Sequence, residues 1–215
     1  MKIGIVSDIH AHLTPLKRAV ALFESQGVSH ILCAGDLIDG GWDEESVIDY
    51  IRTRNIMSVR GNHDRGAFAN DIEDSSVGYE DDEFGDLLNS YRTQYVSSLP
   101  TTRQFHWEGK NILLAHGAPW SDTQHVFPNT SVEIFSRLFN DSDADIVILG
   151  HTHIPMRIKF QDKWVLNPGA LCGNREDLRR TCGILDLPQV AFEIFDVDTG
   201  QSVELETRTI DGKIC

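Results

Sequence analysis

The first sixty positions alternate short apolar runs with stretches where apolar residues recur every three to four positions. Ile3 to Val6, His30 to Ala34 and Ile56 to Val59 are the runs, short enough to be buried strands. Between the first two, Leu13 to Gln26 puts Leu16, Ala19, Val20 and Phe23 on one face, with Thr14-Pro15 at its start and Gly27 just past its end, the punctuation of a helix. Asp43 to Arg52 reads as a second helix. This strand–helix alternation predicts a largely parallel sheet with helices packed on it.

Further along, Thr101–Trp107 and Asn111–Ala115 flank Glu108-Gly109-Lys110 and read as a hairpin. Val132 to Phe139 is a short helix, and Asp145 to Leu149 another buried strand. The pattern then changes. Met156–Phe160, Lys163–Leu166, Thr181–Leu187, Val190–Val197 and Ser202–Thr209 alternate as antiparallel strands do. The expected fold is α/β: two packed mixed β-sheets flanked by helices, an α/β/β/α sandwich, in one domain over residues 1–215. An insertion around 66–98 interrupts it. Between Arg65 and Arg92 there are eight acids and no base, which reads as a solvated surface segment; its functional reading is a cap over the site. Asp86 to Val96 within it has a helical pattern.

Five apolar runs stop at chemically active residues: Asp8 and His10, Asp36, Asn62 and His63, His116, then His151 and His153. In parallel α/β sheets ligands bind beyond the carboxyl ends of the strands, so these endings converge on one crevice. Residues two apart in extended backbone share a side, which would pair Asp8 with His10 and His151 with His153. Two carboxylates, one amide oxygen and four imidazoles, without thiolate, suit Mn²⁺, Fe or Zn²⁺. Seven donors exceed one tetrahedral ion but suffice for two ions that share a carboxylate. Paired ions of this kind activate a bridging water and stabilise phosphate-ester hydrolysis.

Composition narrows the partners. The formal net charge of −14 over 215 residues argues against long nucleic acid, whose affinity comes from neutralised phosphates. A small phosphorylated substrate stays compatible, because bound metal can reverse the local potential. No apolar stretch reaches the ~18 residues of a membrane span, and the chain opens on a strand pattern, so a cytoplasmic location is expected. The four cysteines form no CxxC pair, and Cys33 inside an apolar run reads as a small buried hydrophobe. Cys172 and Cys182 are not expected to form a redox pair.

Taken in order, D-x-H, G-D, G-N-H-D, H-G and G-H-T-H resemble the calcineurin-like metallophosphoesterase family. The length and Asn167-Pro168-Gly169-Ala170 are similar to its YfcE-like small phosphodiesterase branch, which usually has serine where Ala170 stands. The resemblance implies one metal held by Asp8, His10, Asp36 and His153, with Asp36 bridging to a second held by Asn62, His116 and His151. It implies two divalent ions, commonly Mn²⁺, with Fe, Zn²⁺, Ni²⁺ or Co²⁺ as alternatives. The implied activity is hydrolysis of a small phosphodiester, nucleotide or phosphomonoester by a metal-bridging hydroxide. His63 would donate a proton to the leaving oxygen, with Asp64 orienting its ring. Arg60 is a candidate phosphate-binding residue, as in the phosphoprotein phosphatase branch, and Asp39 a supporting residue behind the site. Alternatives are a phosphoprotein phosphatase, a dinucleoside polyphosphate hydrolase, or a non-catalytic interaction scaffold.

The remaining candidates have plainer readings. A lone aspartate after a strand is ordinarily a helix cap; the ordered set is what makes Asp8 and Asp36 ligands. His12, one alternation beyond His10, is expected at the surface, with an approach to substrate as its functional alternative. His30, His106 and His125 have no motif partners and read as structural or solvated. Trp120 reads as packing, with stacking on a substrate ring as its functional alternative.

Overall fold

The structure is a computed structural model that describes residues 1–66, 83–140, 142–174 and 177–211. In chain order the elements are β1 Lys2–Val6, α1 Leu13–Ser25, β2 His30–Cys33, α2 Glu44–Thr53, β3 Met57–Ser58, α3 Glu83–Ser98, β4 Thr102–Trp107, β5 Lys110–Ala115 and α4 Val132–Asn140. They continue with β6 Ile146–Ile148, β7 Met156–Phe160, β8 Lys163–Asn167, β9 Thr181–Asp186, β10 Ala191–Asp196, β11 Ser202–Val203 and β12 Arg208–Ile210. One sheet has the order β11-β10-β9-β1-β2-β3 and the other β12-β7-β8-β6-β5-β4. β1, β2 and β3 run parallel, as do β5, β6 and β8, while β9 and β10 are antiparallel neighbours.

Alternation along the strands builds three apolar layers. Ile3 and Ile5 of β1 face the second sheet and pack with Ile112, Leu114, Ile146 and Ile148. Val6 turns the other way, to Leu16, Val20 and Phe23 of α1. Gly4 shares that outer face, and a Cβ there would lie 2.5 Å from the Phe23 ring, so the glycine is what lets the phenyl lie flat on the sheet. On the far side Leu113 and Val147 meet Phe135, Leu138 and Phe139 of α4. Strands buried on both faces read as continuous apolar runs. The expected α/β/β/α sandwich is the observed fold. No helix among the described residues is long and apolar enough to cross a membrane.

Two strands differ from the sequence pattern. Ile56–Val59 shortens to Met57–Ser58, because at this sheet edge only Leu32 and Cys33 of β2 lie opposite. Ser202–Thr209 is not one antiparallel strand. β11 pairs with β10 in the first sheet, and β12 runs parallel to β7 in the second. The connecting Leu205 packs into the layer between the sheets and its carbonyl accepts from Arg157. Alternation survives such a change of sheet, so it could not reveal it. The β4–β5 hairpin turns through Glu108 and Gly109, both at positive φ (50° and 71°), as two-residue hairpin loops require.

Of the acidic insertion, residues 67–82 and the capping role expected of them lie outside the described residues. Its end is part of the fold: Val96 and Leu99 join the core beneath α1 and α2, and Arg92 reaches Glu45 and Asp49 of α2 at 3.1 and 2.8 Å.

Candidate metal centre

The loops after β1 and β2 are zipped together. Asp8 N–H donates to Gly35 O (3.0 Å), the Ile9 and His10 amides to Asp36 O (2.8 and 3.1 Å), and Ala11 N–H to Leu37 O (2.9 Å). The backbone here is not extended. Asp8, His10, Asp36, Asp39, His151 and His153 all sit at φ between 47° and 70°, the left-handed region sparsely used by non-glycine residues and concentrated at functional sites. The expectation that Asp8/His10 and His151/His153 pair through extended alternation is therefore corrected. Left-handed residues, locked by the neighbouring loop, aim these side chains inward.

The second sheet closes on the first from above. His151 N–H donates to both Asp8 carboxylate oxygens (3.2 and 3.0 Å). His153 Nε2 lies 3.2 Å from Asp8 Oδ1, and Asp36 Oδ2 lies 3.1 Å from His116 Nε2 and 3.6 Å from His10 Nε2. Asn62 Oδ1 is 3.0 Å from His116 Nε2. The ring centroids of His10 and His153 are 5.3 Å apart, those of His116 and His151 5.0 Å. All seven expected ligands thus meet as two groups, one around Asp8, His10 and His153, the other around Asn62, His116 and His151. Asp36 contacts both. Two glycines permit the approach: a Cβ on Gly61 would fall 2.0 Å from Asp36 Oδ1, and one on Gly150 2.0 Å from Ser7 Oγ.

Each of the four imidazoles has one nitrogen held by a partner outside the seven-donor set. The acceptors are Ala34 O for His116 Nδ1 (2.7 Å), Asp39 O for His10 Nδ1 (2.6 Å), Thr123 O for His151 Nε2 (3.2 Å) and Cys172 Sγ for His153 Nδ1 (3.6 Å). The opposite nitrogen is left for the cleft in every case, the arrangement that orients metal-binding histidines. The donor set therefore fits divalent cations.

Electrostatics agree. Asp8 and Asp36 are at most 1% exposed, and buried carboxylates need compensating charge. Burial alone would raise Asp36, but the His116 hydrogen bond and charge bring it down to about 2. Burial would lower His116 and His153; hydrogen bonds to Asp36 and Asp8 respectively outweigh it and hold them near about 9 and about 10. Burial, with the charges of His116 and His125, pushes His151 down to about 4. In the metal-free protein, protons on His116 and His153 thus supply the positive charge that cations would bring.

Other site residues fall differently from the sequence reading. Asp64 does not orient His63. It is fully buried, accepts from the amides of Gly61 (2.8 Å), Leu37 (2.8 Å) and Ile38 (3.2 Å), and burial raises it to about 6. It staples the Gly61 loop to the Asp36 loop. The partner of His63 Nδ1 is Asp39 Oδ2, at 2.6 Å. Arg60 donates to Ser97 O (3.2 Å) and is not among the residues that line the cleft, a cavity of about 350 Å³. His12, His125 and Cys172 do line it; His125 stands 4.2 Å from His151, ring to ring. The sequence reading had substrate approach as the alternative for His12; it missed His125 and Cys172 because each lies outside a motif. Cys172 is placed by its backbone, whose N–H donates to Asp8 O (3.0 Å). Trp120 packs beneath Arg137 (4.1 Å), while His30 stacks on Trp107 and His106 meets Asn111. Cys33 and Cys182 are buried and free, as Cys172 is free.

Comparison with known proteins gives the family. Residues 1–189 match the calcineurin-like phosphoesterase superfamily domain. The chain belongs to this superfamily. Among relatives of this phosphoesterase, the phosphodiesterase MJ0936 of Methanocaldococcus jannaschii is 26% identical, covering 86% of this chain and 93% of its own. The uncharacterised MJ0912 of the same organism is 24% identical over 91% and 87%. The solved structure of YfcE, a phosphoesterase from Escherichia coli, shares the fold with a TM-score of 0.62 at 19% identity, covering 95% of this chain and 97% of its own. The protein is a metal-dependent phosphoesterase of the phosphodiesterase-containing family.

Proposed function

We propose that this phosphoesterase hydrolyses a small phosphodiester or nucleotide at a centre of two divalent cations, Mn²⁺ foremost. The observation that carries this reading is the convergence of seven donors in two groups that share Asp36. One ion would sit among Asp8, His10, Asp36 and His153, the other among Asp36, Asn62, His116 and His151. Such ions supply Lewis acidity to the phosphate oxygens and lower the pKa of water.

The chain's own residues supply the rest. His63, held at Nδ1 by Asp39, carries a proton at Nε2 for the departing oxygen. Asp64 and Asn167 fix the loops: Asn167 donates to Gly150 O (2.7 Å) and Thr152 Oγ1 (3.2 Å) while accepting from Gly169 N–H (2.8 Å). His12 and His125 are the further imidazoles open to substrate oxygens. Arg60, turned to Ser97, lends no support to the phosphoprotein phosphatase alternative.

The Mn²⁺-loaded protein is expected to cleave bis(p-nitrophenyl) phosphate. A fully metallated sample inert toward both diester and monoester would overturn the reading. Metal binding should also depend on pH with a definite sign. His116 and His153 hold protons up to about 9 and about 10 in the metal-free protein, and coordination must displace them. Mn²⁺ affinity should therefore rise with pH from 6 toward 9, with protons released on binding, as calorimetry in buffers of different ionisation enthalpy would read. A flat pH profile with no proton release would contradict it.

A further inference from the structure

Three of the four imidazoles expected to hold cations are steered by backbone carbonyls, and the fourth by a thiol. We propose that Cys172 is the positioning residue of His153, its sulfur accepting the Nδ1–H so that Nε2 is presented to the cation beside Asp8. This rests on the two-cation reading above and adds to it a side chain that the ligand motifs do not contain.

The geometry gives the sulfur two directed contacts. His153 Nε2 faces Asp8 Oδ1 at 3.2 Å, so with a cation at that nitrogen the ring's remaining proton is on Nδ1, 3.6 Å from Cys172 Sγ. The thiol's own hydrogen has an acceptor in Gly173 O at 3.5 Å. The relay Nδ1–H to sulfur, then S–H to carbonyl, leaves every group satisfied without any change of charge at Cys172. Sulfur is a weak acceptor, so its placement must be firm, and it is. Leu171 N–H donates to Ser7 O and Cys172 N–H to Asp8 O, both at 3.0 Å, which ties the cysteine to the same strand end that supplies Asp8. Gly173 then turns away at φ 98°. Ligand atoms of His10, His153 and Cys172 all lie within 4.8 Å of one another, so the sulfur is also within reach of an ion, and the test must separate a hydrogen-bonding sulfur from a coordinating one.

Outer partners of this kind typically change metal affinity by about 10–100-fold. Titration of the metal-free protein with Mn²⁺ should give two ions per chain. Cys172→Ala should weaken one of them by about 10-fold or more, whereas Cys172→Ser, whose hydroxyl can accept and donate in the same place, should stay closer to the native value. In a His153→Ala background, Cys172→Ala should change nothing further, since the interaction it removes is already gone. Fewer than two ions on the native protein would overturn the centre and this proposal with it. Two ions whose affinities ignore Cys172→Ala would overturn this proposal alone. So would an effect that persists undiminished in the His153→Ala background. Co²⁺ gives an independent readout. A sulfur-to-cobalt charge-transfer band would place Sγ on the ion itself and overturn the hydrogen-bonding role; its absence, with the affinity loss, supports it.

Discussion

His63→Ala is expected to lower turnover of bis(p-nitrophenyl) phosphate by ~10²–10⁴ while both cations of the proposed centre stay bound. The magnitude is that of a lost general acid; a ligand atom of His63 lies within 4.8 Å of those of His10 and Asp36, so retained metal is what separates the acid role from a ligand role. Its ring is 45% exposed at the cleft rim and paired with Asp39, whereas the seven donors lie deeper. The same logic separates Asp39 from Asp64. Asp39→Asn should reduce turnover in the same direction but by less, because the amide can still hold the ring. Asp64→Asn should show instead as lower thermal stability, since three backbone amides converge on that buried carboxylate. Steady-state kinetics beside metal analysis checks the set. Loss of metal in His63→Ala would make His63 a ligand rather than the acid, and kinetic loss in Asp64→Asn larger than in Asp39→Asn would return the orienting role to Asp64.

Asp36→Asn should empty the centre. This carboxylate contacts imidazoles of both groups and accepts His63 N–H (3.0 Å), so in the proposed centre its charge would serve two ions at once. Neutralising it is expected to lower bound Mn²⁺ below one per chain and turnover by about 10³, or ~4 kcal/mol of transition-state stabilisation. The variant keeps the shape of the residue and its amide acceptor, so it should remain folded. Elemental analysis with kinetics reads the result. Two retained ions would show that Asp36 does not bridge. The metal-free variant carries a second signature, because His116 loses the partner that holds it near about 9. Its imidazole should then titrate lower, which NMR can follow.

Much of the fold was legible because both sheets are covered on both sides. Runs such as Ile112–Ala115 and Ile146–Leu149 had to be interior strands, and their ends had to lie along one edge. The change of sheet between β11 and β12 was not legible, since Glu204, Leu205 and Glu206 continue the same alternation through it. The pairing of His63 was not legible either. Asp64 is its neighbour in sequence, but the helical backbone of residues 62–66 turns the Asp64 carboxylate into the core and leaves His63 facing the loop that carries Asp39.

What the sequence determined by itself was the inventory: which strand ends carry carboxylate, amide and imidazole, in an order specific to one superfamily. Local chemistry decides that, because ligand type and spacing are written in consecutive residues. Tertiary structure alone decided orientation and company. Left-handed backbone at Asp8, His10, Asp36, His151 and His153, the carbonyls behind three imidazoles, and the sulfur behind the fourth all arise from loops distant in the chain locking one another. The Ser7–Asp8 carbonyls hold Leu171 and Cys172 across more than 160 positions, a relation that no local pattern encodes.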